Sequence, residues 1–179
     1  MADIDDFASS LLEEAKRFLE KASDDVDDTA RAAYLHASLM LAFCSLEAHI
    51  NAMGEEFATR PELSPHVKGV LLEKEVKLEN GDFGLGGLRM YRLEDRILFL
   101  HKQFSGKLLD RKIPLWGQLT SAIGVRNKLT HPKDAQPLTI AQVKEAILAT
   151  MGIIDLMYQA IYKRGFPAAK LGLQAKITF

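Results

Sequence analysis

Apolar residues recur at three- and four-residue steps through most of this 179-residue chain, which is the spacing of one face of an α-helix. The alternation of apolar and polar residues that marks a half-buried strand is almost absent. The pattern predicts an all-α fold: an up-and-down four-helix bundle with an additional short helix and a C-terminal tail. We expect a single domain over residues 1–179, with an N-terminal helix in 1–27, a core at about 28–165 and a tail at 166–179.

Start and stop signals divide the helical pattern into segments. Serine followed by proline at 64–65 is typical of a helix start, so a short helix is predicted over 65–78. The segment 80–87 contains four glycines and is expected to be a flexible loop. Pro132 should end the helix that precedes it, because the residue before a proline is pushed out of helical geometry. The long helices are expected at about 4–24, 29–53, 88–104, 114–131 and 139–165.

Composition limits the class of protein. A hydrophobic content of 47% with 26% charged residues is typical of a globular domain and excludes wholesale disorder. No apolar run approaches the length of a membrane span, and the acidic N-terminus has the wrong charge for a signal or transit peptide. The single cysteine, Cys44, lies in an apolar helical run and has no disulfide partner in the chain. We therefore expect a buried thiol and a cytoplasmic location.

The sequence gives no indication of a metal site. No group of cysteines and histidines has the spacing of zinc ligands. A di-metal carboxylate bundle requires glutamates with a histidine three residues on, and no glutamate of this chain has one. We expect neither a metal nor another cofactor.

The net charge of −1 conceals two segments of opposite charge. Residues 1–30 contain ten Asp/Glu and three Lys/Arg, whereas residues 89–133 contain ten Lys/Arg and three Asp/Glu. A basic stretch suits a polyanionic substrate. Two solvated faces of opposite sign explain the same distribution equally well.

The end of the helix that precedes Pro132 carries the candidate chemistry, Arg126, Asn127 and His131. Histidine exchanges protons near neutral pH, and arginine offers phosphate a planar fork of donors without losing its charge. The spacing alone is not specific, because three other pairs resemble it: Arg31 with His36, Arg60 with His66, and Arg96 with His101. We interpret those three as structural or surface residues, since only the pair at 126 and 131 lies at a helix terminus and sets an arginine into an apolar stripe.

Helical geometry predicts how the three residues are placed. Asn127 and His131 are four positions apart and share one face. Arg126 and His131 are five positions apart and diverge by about 140° in a regular helix. Arg126 and His131 can reach one phosphate in three ways: through the length of the arginine, through fraying of the helix before Pro132, or through a second chain across a two-fold axis. The last of these makes a dimeric site attractive.

The segment Arg126-Asn127-x-x-x-His131, at the end of the penultimate long helix, resembles the Arg-x4–6-His motif of HEPN domains. Residues 42–51, AFCSLEAHIN, also resemble the second helix of that family, and the resemblance covers roughly 28–165. It implies a metal-independent endoribonuclease of a toxin–antitoxin, phage-defence or RNA-processing system, with RNA as substrate and a homodimer whose two motifs meet in one cleft. The family also has members without nuclease activity, so the alternative is a catalytically silent module that binds nucleotide, RNA or a protein partner.

The resemblance implies a role for each motif residue. His131 would act as general base or acid when the ribose 2′-hydroxyl attacks the adjacent phosphate, leaving a 2′,3′-cyclic phosphate and a 5′-hydroxyl. Arg126 would hold the phosphate and stabilise its developing charge. Asn127 would orient His131 or a phosphate oxygen. Glu47 and Asn51, one turn apart on the second helix, would support Arg126 or the substrate, although a helix-surface pair is an equal alternative.

Lysines near the motif are expected to bind flanking phosphates without sequence preference. This role is assigned to Lys128 and Lys133, together with Lys102, Lys107, Arg111 and Lys112, with solvated surface as the alternative for each. Lys133 is also a departure from the family. Members that a partner nucleotidyltransferase silences often carry tyrosine at this position, so adenylylation is put in doubt, while an antitoxin or other inhibitor protein of another kind stays open.

Overall fold

A computed structural model describes residues 4–134 and 137–179. The described residues are mainly helical, as predicted, and the helices are α1 (Ile4–Asp24), α2 (Asp28–Ala58), α3 (Pro65–Leu71), α4 (Leu93–Ser105), α5 (Pro114–Thr130) and α6 (Ile140–Tyr162). Two short strands, β1 (Lys74–Glu79) and β2 (Asp82–Leu88), form an antiparallel hairpin, and a 3-10 helix covers Pro167–Leu171. None of the described helices is long and apolar enough to span a membrane.

The chain forms two compact units. The first consists of Met1–Leu46 and Asp110–Phe179, and the second of Glu47–Leu109. Helix α2 runs through the boundary, so that its residues 28–46 belong to the first unit and 47–58 to the second.

Helix α1 packs on the first-unit part of α2 through apolar and hydroxyl side chains. Leu12 and Leu39 are fully buried. The hydroxyl of Ser38 donates to the carbonyl of Ala15 at 2.7 Å, and the hydroxyl of Ser45 donates to the carbonyl of Ala8 at 2.7 Å. These small side chains bring the two helices close together and satisfy the buried hydroxyl groups at the same time.

Helix α6 begins at the capping box that its sequence indicates. The hydroxyl of Thr139 accepts from the backbone N–H of Gln142 at 3.2 Å, and the Gln142 side-chain oxygen accepts from the backbone N–H of Thr139 at 2.9 Å. Two donors at the helix start are therefore satisfied reciprocally. Helix α5 lies antiparallel to α6, with Leu115 of α5 packed against Gly152.

The C-terminal tail packs along α1. The backbone N–H of Ala175 donates to Glu20 at 2.8 Å, and that of Lys176 donates to Glu13 at 2.6 Å. The ring of Phe179 contacts the ring of Phe18, with 5.2 Å between centroids. The side chains of α1 thus hold the tail against the first unit.

The hairpin in the second unit corrects two predictions. The short helix expected over 65–78 ends at Leu71, and the expected loop at 80–87 is largely strand β2. The turn between the two strands explains the difference. Its residues Asn80 and Gly81 both have positive φ values, 52° and 91°. Asparagine followed by glycine is the pair that is favoured in a two-residue hairpin turn with positive φ at both positions.

Two other expectations are also wrong. The helix expected from residue 88 begins at Leu93, because Leu88 pairs with Lys74 in the hairpin. Cys44 is exposed rather than buried. Its neighbours Phe43 and Leu46 face the core, with exposed fractions of 2% and 0%, and the helical twist turns Cys44 away from that side.

Gly54 is required by a close approach of backbone in the second unit. A Cβ atom at Gly54 of α2 would lie 2.5 Å from the carbonyl oxygen of Leu71. We expect Gly54→Ala to lower the free energy of unfolding by about 1–3 kcal/mol through overpacking. The control, Gly117→Ala in α5, meets no atom within 4 Å and should raise it by up to about 1 kcal/mol, because alanine favours helix. Urea denaturation measures both, and a stabilised Gly54→Ala would contradict the expectation.

His49, in the second-unit part of α2, makes stability depend on pH. Its side chain is fully buried, and burial lowers the pKa of the imidazole from 6.5 to about 4. Between these values the unfolded chain binds a proton that the folded chain does not. The contribution of the neutral, buried His49 to the free energy of unfolding is therefore fully present above pH 6.5, and it is lost as the pH falls towards 4. We expect this histidine to lower the free energy of unfolding by up to roughly 3 kcal/mol between pH 7 and pH 4.

Urea denaturation across this pH range measures that loss. Other groups also titrate in the range, so the His49→Leu variant is the reference. The fall in stability should be smaller in His49→Leu than in the unmodified chain, and identical pH dependence would show that His49 does not carry the effect.

Candidate functional site

The candidate site begins where α5 ends. His131 caps the helix with φ −131° and ψ 64°, and its backbone N–H donates to the carbonyl of Asn127 at 2.9 Å. The following Pro132 accounts for this ending, because it disfavours helical geometry at His131. His131 leaves the helix axis at this point, and its side chain is exposed.

A shallow pocket of about 280 Å³ lies at this helix end, lined by Asn127, Lys128, His131, Lys133 and Asp134. Four of these were predicted from the sequence as site residues. The pocket combines an imidazole, an amide and two ammonium groups with a single carboxylate. Such a set can bind an anion and exchange a proton with it.

Arg126, the remaining residue of the motif, contacts an aromatic ring of α2. Its side chain is half-buried, and the guanidinium carbon lies 5.1 Å from the centre of the Phe43 ring. A cation over an aromatic face at this distance contributes about 0.5–2 kcal/mol. Arg126 is not among the residues that line the His131 pocket, in keeping with the divergence expected for positions five apart. The structure therefore brings His131 together with Asn127, Lys128 and Lys133 in one pocket, whose lining does not include Arg126.

Glu47 and Asn51 belong to the second unit, where both are half-buried. Asn51 lines a pocket of about 230 Å³ there, together with Glu55. Burial lowers the pKa of the Arg96 guanidinium, and the charges of Glu73 and Glu47 oppose this shift. Within this unit the carboxylate of Glu47 thus acts on Arg96, and its role towards Arg126 stays a prediction.

Two of the other arginine–histidine pairs contain residues with structural contacts. Arg96 is 4% exposed and forms an ion pair with Glu73 at 3.0 Å. The His101 ring forms a hydrogen bond of 3.0 Å with the carbonyl of Lys107, and the His66 ring contacts that of Phe83 at 5.0 Å.

His36 is exposed, as expected of a surface residue, but it also has neighbours that its sequence does not indicate. It lines a second pocket, of about 210 Å³, and shares that pocket with Lys128 of the motif. Its local sequence contains no signal for this position, because only the packing of α2 beside the end of α5 brings the two together.

The remaining basic residues assigned to phosphate binding are exposed: Lys102, Lys107, Arg111 and Lys112. Arg96, which contributes to the basic stretch in the sequence, is buried and paired, so its charge is not displayed to solvent. Among residues 4–134 and 137–179, no group of three or more His, Cys, Asp or Glu is arranged to hold a metal ion.

Comparisons of the chain with protein-family models, with curated proteins and with solved structures give no match in any of the three.

Proposed function

We propose that this protein is a metal-independent endoribonuclease of the HEPN type. The observation that supports this most is the exposed imidazole of His131, at a helix end, in a pocket that also contains Asn127, Lys128 and Lys133. Metal-free RNA cleavage needs a proton-transfer group beside groups that bind phosphate. The pocket offers both on one short segment of chain.

In the proposed reaction, His131 removes the proton from a ribose 2′-hydroxyl. The 2′-oxygen then attacks the adjacent phosphorus, and the bond from phosphorus to the 5′-oxygen breaks. The departing 5′-oxygen takes up the proton that His131 returns, directly or through water, which leaves a 2′,3′-cyclic phosphate and a 5′-hydroxyl. Lys128 and Lys133 bind phosphate oxygens, and Asn127 orients the imidazole or one of these oxygens.

In this proposal, Arg126 binds the phosphate in a homodimer. Because the guanidinium lies over Phe43 and Arg126 does not line the His131 pocket, we propose that each catalytic centre combines His131 of one chain with Arg126 of the other. The proposal includes an up-and-down four-helix bundle for the helical core, a cytoplasmic location, and restraint by an antitoxin or another inhibitor protein.

The proposal is tested with purified protein and a mixed RNA pool in EDTA. We expect cleavage that leaves 2′,3′-cyclic phosphate and 5′-hydroxyl ends, identified by end-specific labelling. Cleavage that requires added divalent metal, or that leaves 3′-hydroxyl ends, would overturn the mechanism.

A composite site predicts complementation between two inactive variants. In a mixture of Arg126→Ala and His131→Ala chains, half of the dimers are mixed, and each mixed dimer contains one intact site. We therefore expect roughly a quarter of the unmodified activity after mixing and re-equilibration of the subunits, although each variant alone is inactive. Activity is measured with a fluorogenic RNA at constant total protein. If mixing restores nothing while chromatography shows mixed dimers, Arg126 and His131 must act within the same chain.

The second candidate is a catalytically silent module that binds nucleotide, RNA or a protein partner. The packing of Arg126 over Phe43 favours it, because a half-buried arginine on an aromatic ring can serve the fold alone. The two candidates separate in the EDTA assay: a silent module binds RNA in a gel-shift experiment and leaves the RNA intact.

A further inference from the structure

A second pocket lies at the end of α5, within the first unit. It has a volume of about 210 Å³ and is lined mainly by apolar side chains, those of Val125, Leu129, Pro132, Pro137 and Leu138. Pockets for drug-sized ligands are usually larger, about 300 Å³ or more. This pocket therefore suits a single small group with flat apolar faces.

Four polar side chains line the same pocket: His36 of α2, Lys128 of α5, Asp134, and Gln142 of α6. The imidazole of His36 is a flat ring on which a planar ligand can stack. Lys128 is a donor, and Asp134 is an acceptor when ionised. An apolar lining with a few convergent polar groups is typical of a ligand site rather than of a packing defect.

The capping box fixes what Gln142 offers to a ligand. The side-chain oxygen of Gln142 accepts from the backbone N–H of Thr139 at 2.9 Å and from its hydroxyl at 3.1 Å. The amide oxygen is engaged at the helix start, so the NH₂ end of the amide is the part that can serve a ligand. Gln142 therefore acts as a donor in this pocket.

This pocket adjoins the His131 pocket, because Lys128 and Asp134 line both. A group bound in one pocket is therefore a direct neighbour of an anion bound in the other. In RNA, a base stands next to every phosphate, and sequence-specific proteins bind unstacked bases through stacking and edge hydrogen bonds.

Resting on the proposed ribonuclease function, we propose that this second pocket binds the base next to the scissile phosphate, and that it selects guanine. Guanine presents two neighbouring N–H donors that a carboxylate such as Asp134 accepts together. Its O6 and N7 are acceptors for the donors of Gln142 and Lys128. No other RNA base offers this pair of donors beside those acceptors. His36 stacks on the base and so becomes a specificity residue of the site.

Defined substrates test the selection. DNA oligonucleotides with one ribonucleotide allow cleavage only after that ribose, and the base is varied at the ribonucleotide and at the next position. We expect guanine at one of the two positions to raise kcat/KM by at least about tenfold over cytosine, since a site that hydrogen-bonds a base edge discriminates strongly. Equal cleavage of all bases would overturn the proposal and leave the ribonuclease intact.

The sharpest variant is Gln142→Glu. Glutamate preserves the acceptor of the capping box, so α6 keeps its start, but it removes the amide donor and adds a negative charge. We expect the guanine preference to fall about tenfold. The control, Glu145→Gln, lies one turn along α6 on an exposed position outside this pocket. The preference should persist in Glu145→Gln, and an equal loss in both variants would contradict the assignment.

Binding without cleavage separates this inference from the nuclease proposal. By calorimetry, guanosine 3′-monophosphate should bind the protein more tightly than cytidine 3′-monophosphate, and Gln142→Glu and His36→Ala should each weaken it about tenfold. If this holds while RNA is never cleaved, the base pocket stands and the nuclease fails. If RNA is cleaved while the two nucleotides bind equally, the nuclease stands and the base pocket fails.

Discussion

Alanine at position 131 is expected to lower the ribonuclease kcat/KM by about 10²- to 10⁴-fold, the usual contribution of a general acid or base. The His131 side chain is exposed, and the hydrogen bond that caps α5 comes from its backbone N–H, which alanine keeps. The fold should therefore survive, and the loss should reflect chemistry alone. Initial rates with a fluorogenic RNA in EDTA measure the effect, and circular dichroism checks the helical content.

A matched control is available in His66→Ala. His66 is also exposed, but its ring contacts Phe83 in the second unit and takes no part in the proposed reaction. Activity within about twofold of the unmodified protein is expected, as for surface substitutions remote from a site. If His131→Ala and His66→Ala retain equal activity, His131 is not the proton-transfer group.

Substitutions of Arg126 separate the effect of its positive charge from that of its planar group of donors. Lysine keeps the positive charge but lacks the planar fork, so Arg126→Lys should retain only part of the phosphate stabilisation. Arg126→Ala should lose it entirely, together with the contact over Phe43. A variant Arg126→Lys with full activity would indicate that charge alone is needed.

Removal of Glu13 is expected to destabilise the first unit by about 3–5 kcal/mol, the usual cost of leaving a buried charge without its partner. Lys16 of α1 is fully buried, and its ammonium pairs with one carboxylate oxygen of Glu13. The other oxygen accepts from the backbone N–H of Lys176 in the tail at 2.6 Å. Glu13→Ala therefore strands the ammonium of Lys16 and releases a tail contact. Urea denaturation measures the change.

Two variants separate these losses. Glu20→Ala removes a different hydrogen bond between α1 and the tail, the one that Glu20 accepts from the backbone N–H of Ala175, together with the part-exposed ion pair of Glu20 with Arg17. It does not strand the ammonium of Lys16, and it should cost about 1–2 kcal/mol. In Glu13→Ala combined with Lys16→Met, the buried charge is gone, and most of the stability should return. If Glu13→Ala costs no more than Glu20→Ala, the buried ion pair is not important for the fold.

The local sequence was sufficient for most helix boundaries. Ser64 with Pro65 marks the start of α3, and Thr139 with Gln142 starts α6. Pro132 ends α5, whose last residue is Thr130 and whose C-cap is His131. These signals act through hydrogen bonds and sterics within a few residues, so they do not depend on distant packing. The loop predicted over 80–87 is wrong although the pair Asn80-Gly81 is itself a local signal for a hairpin turn, because the further glycines of this segment are also typical of a flexible loop.

The candidate site was predictable to the extent that it lies on one segment. Asn127, Lys128, His131 and Lys133 share a pocket because they surround one helix end, and the divergence of Arg126 follows from helical geometry. His36 could not be found in this way. It lies far from the motif in sequence, and helix packing alone decides which helix stands beside the end of α5.

The sequence by itself determined the helices, their caps and the histidine at the end of α5, because each depends on interactions between residues close in the chain. Only the tertiary structure decided which faces meet: it exposes Cys44, buries Lys16 with Glu13 under the tail, and places His36 beside Lys128. The apolar pattern of a helix shows that one side is buried, but not which distant residues cover it, since burial depends on long-range packing.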